Sequence, residues 1–304
     1  MNTQSNAIRE SSLESQGIVP AVFSPIRLFY WSLRRELWEN RSIYIAPLAV
    51  AGLALLGFLI ATMGRALTLA NPARKMEVLT EPAHFAAALI LGAAFIAGIF
   101  YSLDTLHGER RDRSILFWKS MPVSDLTTVL AKTSIPIVLL PLLSFAIVVV
   151  TQLIMGALSS LVLAGSHLPV GALWSQWAQN TLQLLYHMVT VHIFWYAPIY
   201  SWMLLASAWA RRATFLWAGL PPLAIGLLEK ISFNTTHFAH LLLYRVTGPE
   251  AFDLGAHSDM PAHSMMGNLS LVKFLSTPGL WTGLLVAALF LAAATRLRRY
   301  RGPI

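Results

Sequence analysis

Residues 109–125, with the sequence ERRDRSILFWKSMPVSD, lie between two long apolar segments of the chain. The charged residues at the start of this stretch cannot enter lipid. The four large apolar residues at 115–118 favour a protein groove or a membrane interface over water. Pro122 indicates the end of a short helix, and Ser124 with Asp125 indicates the start of the next one. The pattern predicts a rigid surface helix joined directly to an apolar segment on each side.

The composition of the whole chain is typical of an integral membrane protein. Of its 304 residues, 56% are hydrophobic and only 12% are charged, whereas a soluble domain has about 25% charged residues. The chain contains no cysteine, which excludes disulfides, thiol nucleophiles and zinc–thiolate sites. Residues 1–24 are polar and predict a disordered cytoplasmic tail, without the pattern of a cleaved signal peptide.

Six segments are predicted to cross a membrane as helices, because a crossing takes about 20 apolar residues. They are residues 43–63, 85–103, 135–158, 182–208, 213–233 and 279–297. The fifth segment is the weakest, because Pro221 and Pro222 interrupt it and two charged residues lie near its end. The sequence therefore predicts an all-α integral membrane protein, with a six-span transmembrane domain over residues 42–301.

The positions of Lys and Arg predict the orientation of these spans. With the N-terminus inside, sixteen of the positive residues fall on inner segments and six on outer segments. Both termini are therefore predicted to be cytoplasmic. The net charge of +8 follows from this topology, so membrane lipid is the expected partner of the positive residues and no nucleic acid is expected.

Residues 25–41 are predicted to form an amphipathic helix in the cytoplasmic interface. Apolar side chains recur with helical spacing on one face, and most of the arginines point elsewhere. The apolar positions are Ile26, Phe29, Tyr30, Leu33 and Leu37. A plain basic topology signal is the alternative interpretation.

Residues 229–278 are predicted to form a long extracytoplasmic segment between spans five and six. Four histidines lie in it, namely His237, His240, His257 and His263. Their spacing matches no common metal site, so no metal is predicted.

The fourth segment contains ionisable side chains, which inside membranes usually face the helix bundle or a pathway. His192, Tyr196 and Tyr200 are four residues apart and share one helical face. With Glu229 they are candidates for a substrate path. The alternatives are hydrogen bonding between helices for the first three, and an interfacial pairing of Glu229 with Lys230 or Arg245.

The stretch ERRDRSILFWKSMPVSDLTTVLAKT resembles the cytoplasmic signature of type-2 ATP-binding-cassette (ABC) permeases, the membrane subunits of bacterial exporters. That family has an interfacial helix, six spans, a coupling helix between spans two and three, and a longer outer segment before span six. The resemblance covers roughly residues 25–301, with residues 104–125 as the coupling helix loop. It implies a multi-pass protein of the bacterial inner membrane that exports a substrate and catalyses no reaction itself.

The resemblance also implies partners. Two copies of the chain would form a homodimer, and two copies of a cytoplasmic ABC ATPase would dock on it. The residues expected to fill the ATPase groove are Glu109, Arg110, Arg111, Ile115, Leu116, Phe117 and Trp118. The chain has no phosphate-binding GxxxxGK[ST] loop, so ATP and Mg are expected on the ATPase and no cofactor on this chain.

Three other interpretations remain open at this point. In the first, residues 109–125 are a lipid-facing basic loop. In the second, the chain is a membrane-embedded enzyme that uses His187, His192 or the outer histidines, although no HExxH or GxSxG motif is present. In the third, the chain is a membrane anchor or sensor that transports nothing.

Overall fold

The computed structural model describes residues 24–65, 71–121, 123–164, 170–247 and 274–304. All regular secondary structure within these ranges is helical, which confirms the predicted all-α class. The predicted tail at 1–24, apart from its last residue, lies outside the described residues. The same holds for most of the outer segment beyond residue 247, including His257 and His263.

The first half of the chain begins with a surface helix and continues into long apolar helices. Its helices are α1 (Pro25–Glu39), α2 (Ser42–Gly57), α3 (Pro72–Arg111), α4 (Ser114–Ser120), α5 (Asp125–Ser134) and α6 (Leu140–Ala164). A π-helical stretch, Ile135–Leu139, joins α5 to α6. The start of α5 is as predicted, because the Ser124 hydroxyl accepts a hydrogen bond of 3.0 Å from the backbone N–H of Thr127.

The second half contains a bent helix and a helical hairpin. Its helices are α7 (Val170–His187), a π-helical stretch (Met188–Trp195), α8 (Ala197–Trp209), α9 (Thr214–Phe233), α10 (His237–Thr247) and α11 (Pro278–Tyr300). Ala213 and Asn234 have φ of 49° and 51°, a left-handed conformation that stops a helix and turns the chain. α10 therefore returns beside α9, and Phe238 faces Gly226 in the middle of α9.

Four helical stretches are long and apolar enough to cross a membrane: Ser42–Ala61, Glu77–Arg111, Asp125–Ala164 and Pro278–Tyr300. The pair Leu173–Trp195 and Ala197–Trp209, bent by 42°, makes up to five among the described residues. These stretches coincide with the second, third, fourth and sixth predicted spans and with all but the last two residues of the first, 43–63. α9 coincides with the fifth predicted span, but it is not one of these apolar stretches. That α9 crosses the membrane, which would make six crossings in all, stays a prediction.

The helices pack around α3 and α8. α3 contacts α2, α6 and α8, and α8 in turn contacts α9 and α11. Small residues allow the close approach, since a Cβ placed on Gly98 of α3 would lie 2.9 Å from Cε1 of Tyr200 on α8. α9 is packed much less, and its large side chains Leu223, Ile231 and Phe233 are exposed.

The four segments predicted to lie on the inner side meet at one end of this bundle, here called the charged end. The Ser207 hydroxyl accepts hydrogen bonds of 3.1 and 2.9 Å from the N–H groups of Leu106 and His107. The N–H of Ile304 donates to the carbonyl of Arg110 at 3.2 Å. The end of α3 also contacts the α8–α9 turn, where a ring nitrogen of His107 lies 3.3 Å from the carbonyl oxygen of Arg211. Arg298 of α11 pairs with Asp125 at the start of α5, so the inner segments are in contact, and α1 belongs to the same ion-pair network.

Candidate functional site

Helix α4 occupies the position of the predicted coupling helix. Arg113, with φ of 58°, turns the chain sharply between α3 and α4. Ile115 is fully buried, whereas Leu116 and Phe117 are 58% and 59% exposed. The helix therefore has one side fixed in the protein and an exposed apolar tip, formed by Leu116 and Phe117.

Aromatic and polar contacts fasten α4 to its neighbours. The guanidinium carbon of Arg35 in α1 lies 3.5 Å from the ring centroid of Trp118, which is a close cation–π contact. On the other side, the Lys119 ammonium donates to the carbonyls of Arg299 and Arg301 at 3.2 and 3.3 Å. α4 is thus held between α1 and the C-terminal segment.

Next to α4 lies a buried ion-pair network. Its members come from four other helices and are Arg35, Glu36, Glu109, Asp125, Lys132 and Arg298. The carboxylate of Glu109 lies 3.3 Å from Arg35 and 3.2 Å from both Lys132 and Arg298. Three acids and three cations balance the charge of the network, as burial away from water requires.

Lys132 connects the two buried carboxylates of this network. Its ammonium lies 2.7 Å from Glu36 and donates to the Thr105 hydroxyl at 2.8 Å. The Tyr101 hydroxyl donates to the second oxygen of Glu36 at 2.8 Å. Arg298 completes the network by pairing with Asp125 as well as Glu109. α1, α3, α5 and α11 are therefore joined by side chains that are almost fully enclosed.

Arg110 makes a second set of internal contacts. Its guanidinium donates to the carbonyls of Ala208 at 2.9 Å, Ala210 at 3.2 Å and Gly302 at 3.2 Å. Ala208 lies in the last turn of α8, Ala210 at the start of the α8–α9 turn, and Gly302 in the segment that follows α11. Arg110 thus satisfies backbone groups that the helix ends leave without partners.

The structure divides the seven predicted coupling residues into two groups. Glu109 and Arg110 are 7% and 5% exposed, and Ile115 is buried as well. The predicted contact of these three with another protein does not fit their burial, because the charged end folds over them. Leu116, Phe117 and Arg111 are exposed, and Trp118 is half-buried. Among the described residues, Arg111 pairs with the exposed acids Asp104 and Asp112, at 3.6 and 3.0 Å.

The predicted path residues of the fourth segment form an aromatic cluster. The ring centroids of His192 and Tyr196 are 5.1 Å apart, and His187 lies 5.8 Å from His192. Phe95 of α3 contacts Tyr196 and Tyr200 at 5.1 and 5.9 Å. His192 is in the π-helical stretch, a geometry frequent at functional sites, and its buried Nδ1 has no hydrogen-bond partner among the described residues.

Glu229 does not belong to this cluster. Its carboxylate accepts hydrogen bonds from the Thr235 hydroxyl at 2.7 Å and from the N–H groups of His237 and Phe238 at 2.7 and 2.8 Å. It therefore caps the N-terminus of α10. The hydroxyl of Tyr196 bonds to Val246 at the opposite end of α10, about 14 Å away by helix rise.

Arg245, one of the two predicted partners of Glu229, has other contacts. It donates to the carbonyls of Gly279 and Trp195 at 2.7 and 3.4 Å. Its guanidinium carbon also lies 4.3 Å from the ring centroid of Trp195. The alternative pairing of Glu229 with Arg245 is therefore not formed, because Glu229 lies at the start of α10 and the guanidinium of Arg245 contacts Gly279 and Trp195 near its other end.

Among the described residues, no group of three or more His, Asp or Glu side chains is arranged to hold a metal ion. His237 and His240 lie on exposed parts of α10.

The network contains residues that the sequence interpretation did not assign to a site. Glu36 carried a signal, since it follows Leu33 by three residues and precedes Leu37 on the apolar face of α1. An acid on an apolar face needs a buried cation. Asp125 and Arg298 carried no such signal, because they are 173 residues apart in the chain.

The charged end thus combines a buried ion-pair network, formed by α1, α3, α5 and α11, with an apolar tip on α4 that the described residues leave exposed. Comparisons with protein-family models, curated proteins and solved structures find no match to this chain.

Proposed function

We propose that this chain is the permease subunit of an ABC-type exporter in a bacterial inner membrane. It couples ATP hydrolysis by a separate ATPase to the export of a substrate. The observation that carries the proposal is the surroundings of α4. Its tip, Leu116 and Phe117, is exposed, and the helix lies next to the buried ion-pair network of Arg35, Glu109 and Arg298. A helix that receives a push from another protein must be exposed where it is touched and rigid where it is attached.

The contacts of α4 indicate how a displacement spreads. A push on Phe117 acts on Trp118 beside it, and the ring of Trp118 lies against Arg35 of α1. Arg35 pairs with Glu109 at the end of α3, and Glu109 pairs with Arg298 of α11. Coupling between distant parts of a protein is carried by packed side chains, ion pairs and rigid helices of this kind. A movement of α4 is therefore expected to shift the interfacial helix α1 and two spans, α3 and α11, together.

In this proposal the transporter consists of two copies of the permease and two of the ATPase, which binds ATP and Mg. The contact of all four predicted inner segments at the charged end supports a cytoplasmic position for that end. The length of α9 supports a membrane crossing by this helix, which brings the number of crossings to six. α9 starts at the charged end and ends at Asn234, about 30 Å away by helix rise.

The cluster of His192, Tyr196, Tyr200 and Phe95 is the proposed lining of the substrate path. It lies where α3 meets the bend between α7 and α8. A change in that bend alters the spacing of these rings directly. Glu229 has no part in this path, since it caps α10.

The test is co-expression with the ABC ATPase that the proposal expects to be encoded beside this chain. The complex is purified by a tag on the permease, and the eluate is assayed for ATP hydrolysis. Phe117→Ala is expected to weaken association about thirtyfold, the ~2 kcal/mol effect of an interface hot spot. Phe215→Ala is the matched control, because Phe215 is also exposed and begins α9 near the charged end. Equal ATPase recovery with Phe117→Ala and with wild type would exclude the proposed coupling role.

A further inference from the structure

The exposed side of α1 carries alternating aromatic and cationic side chains. Trp31, Arg34 and Trp38 follow one another by four residues or fewer, and the guanidinium of Arg34 lies 5.2 and 5.3 Å from the two ring centroids. Trp31 and Trp38 are 50% and 70% exposed. Arg41 follows in the elbow between α1 and α2. Such exposed tryptophans with arginines are typical of the headgroup level of a membrane.

An open groove of about 670 Å³ lies beside this elbow. Its lining has a cationic and aromatic part, Trp38, Arg41 and Tyr44, here called the mouth, and an apolar part, Leu139, Leu142 and Leu143, here called the floor. The leucines belong to the stretch Asp125–Ala164, which is long and apolar enough to cross a membrane. The groove therefore joins a cationic, aromatic mouth to an apolar surface that continues along a span.

The positive charge at the mouth has no counter-charge in the described part of the protein. The Arg41 side chain is exposed and makes no hydrogen bond or ion pair with another described residue. The two acids of α1 are already paired, since Glu36 binds Lys132 at 2.7 Å and Glu39 lies 3.1 Å from Arg35. An anion is therefore the expected ligand of Arg41.

We propose that this groove binds one anionic phospholipid of the leaflet that contains the charged end. The phosphate lies against Arg41 between Trp38 and Tyr44, and an acyl chain lies along Leu139, Leu142 and Leu143. Basic pockets next to transmembrane helices bind anionic headgroups in this way, and the volume falls in the usual range of about 300–1,000 Å³ for ligand sites. The proposal requires membrane-crossing helices and does not depend on export.

The position of the lipid gives it a structural consequence. The groove has α1 and the elbow on one side and the start of α6 on the other. A lipid seated there touches both, and a ligand that binds only the folded protein raises its unfolding temperature. Phosphatidylglycerol is therefore expected to stabilise the full chain more than phosphatidylcholine with the same acyl chains.

The experiment measures lipid adducts of the full chain by native mass spectrometry, in neutral detergent with either lipid. Wild type is expected to bind one phosphatidylglycerol in preference to phosphatidylcholine. Arg41→Gln is expected to lose about fivefold in phosphatidylglycerol binding, as for one arginine at a membrane surface. Leu142→Trp, which fills the floor, is expected to reduce binding of both lipids. Arg212→Gln is the matched control, since Arg212 is exposed at the same end.

Three results would overturn the proposal. The first is equal binding of the two lipids by wild type. The second is an equal loss with Arg41→Gln and Arg212→Gln, which would indicate general surface charge. The third is a change from dimer to monomer with Arg41→Gln at unchanged lipid binding, which would make the groove an interface between copies. The unfolding temperature of each variant shows that the fold is kept, because both arginines are exposed.

Discussion

At the scale of residues, Lys132 shows how the charged end is held together. Its ammonium is enclosed by Glu36, Glu109 and Thr105, which come from α1 and α3. A buried charge is stable only when each of its hydrogen bonds and charges is matched. Lys132 therefore links the buried acids of α1 and α3. Its place in the sequence, next to a predicted span, indicated only the orientation of that span.

Replacing Lys132 by Met is expected to destabilise the protein by about 3–5 kcal/mol, because two carboxylates lose their shared cation. Thermal unfolding followed by size-exclusion chromatography in detergent measures this effect. Lys230→Met is the control, since Lys230 is exposed on α9. If both variants unfold at the same temperature, the network contributes little to stability.

Glu229 has a structural role as the cap of α10. Glu229→Ala removes the acceptor for the Thr235 hydroxyl and for two N–H groups at the start of α10. The expected result is a lower stability of the start of α10, measured as faster amide exchange over residues 237–247. Unchanged exchange there would show that packing alone holds α10.

At the scale of elements, α10 is fixed to α11 by a close approach of one side chain to the backbone. A Cβ at Gly283 would lie 2.7 Å from Cζ of Arg245, so a side chain there would require the guanidinium to shift. Arg245 in turn donates to Gly279 at 2.7 Å. The position of α10 thus depends on two glycines in the first turns of α11.

Gly283→Ala is expected to push Arg245 out and release α10 from α11, which gives faster amide exchange over 237–247. Gly92→Ala is the matched control, because no atom lies within 4 Å of the added Cβ and alanine favours a helix by about 0.5–1 kcal/mol. Similar exchange of α10 in the two variants would contradict the proposed role of Gly283.

At the scale of the whole molecule, the structure has two distinct ends. Positively charged segments from four parts of the chain meet at the charged end, and the α9–α10 turn lies about 30 Å away by helix rise. The proposed six-span topology requires α9 to cross the membrane, although its prolines and charged residues lower its hydropathy.

The absence of cysteine from the chain allows a direct test of this topology. Ser120→Cys lies at the charged end and Thr236→Cys at the α9–α10 turn, and both residues are exposed. A membrane-impermeant maleimide applied to intact cells is expected to label Thr236→Cys at once. It should label Ser120→Cys only after permeabilisation. Labelling of both from outside, or of neither, would place the two ends on one side of the membrane and contradict the six-span topology.

The sequence alone determined the elements whose causes are local. Apolar length predicted the helices that can cross a membrane, and helical spacing predicted α1. Pro122 and Ser124 predicted the break between α4 and α5, where Ser124 is the cap of α5 as expected. The apolar run at 115–118 also predicted a surface helix, because side chains three or four residues apart share a face whatever the rest of the chain does.

Only the tertiary structure decided which of these side chains face outward and which are paired. Glu109 and Phe117 belong to the same short motif, but one is enclosed by Arg35, Lys132 and Arg298 and the other is exposed. Their difference depends on cations 23 to 189 residues away in the chain. Because burial and charge pairing arise when distant helices pack, no local pattern in the sequence contains them.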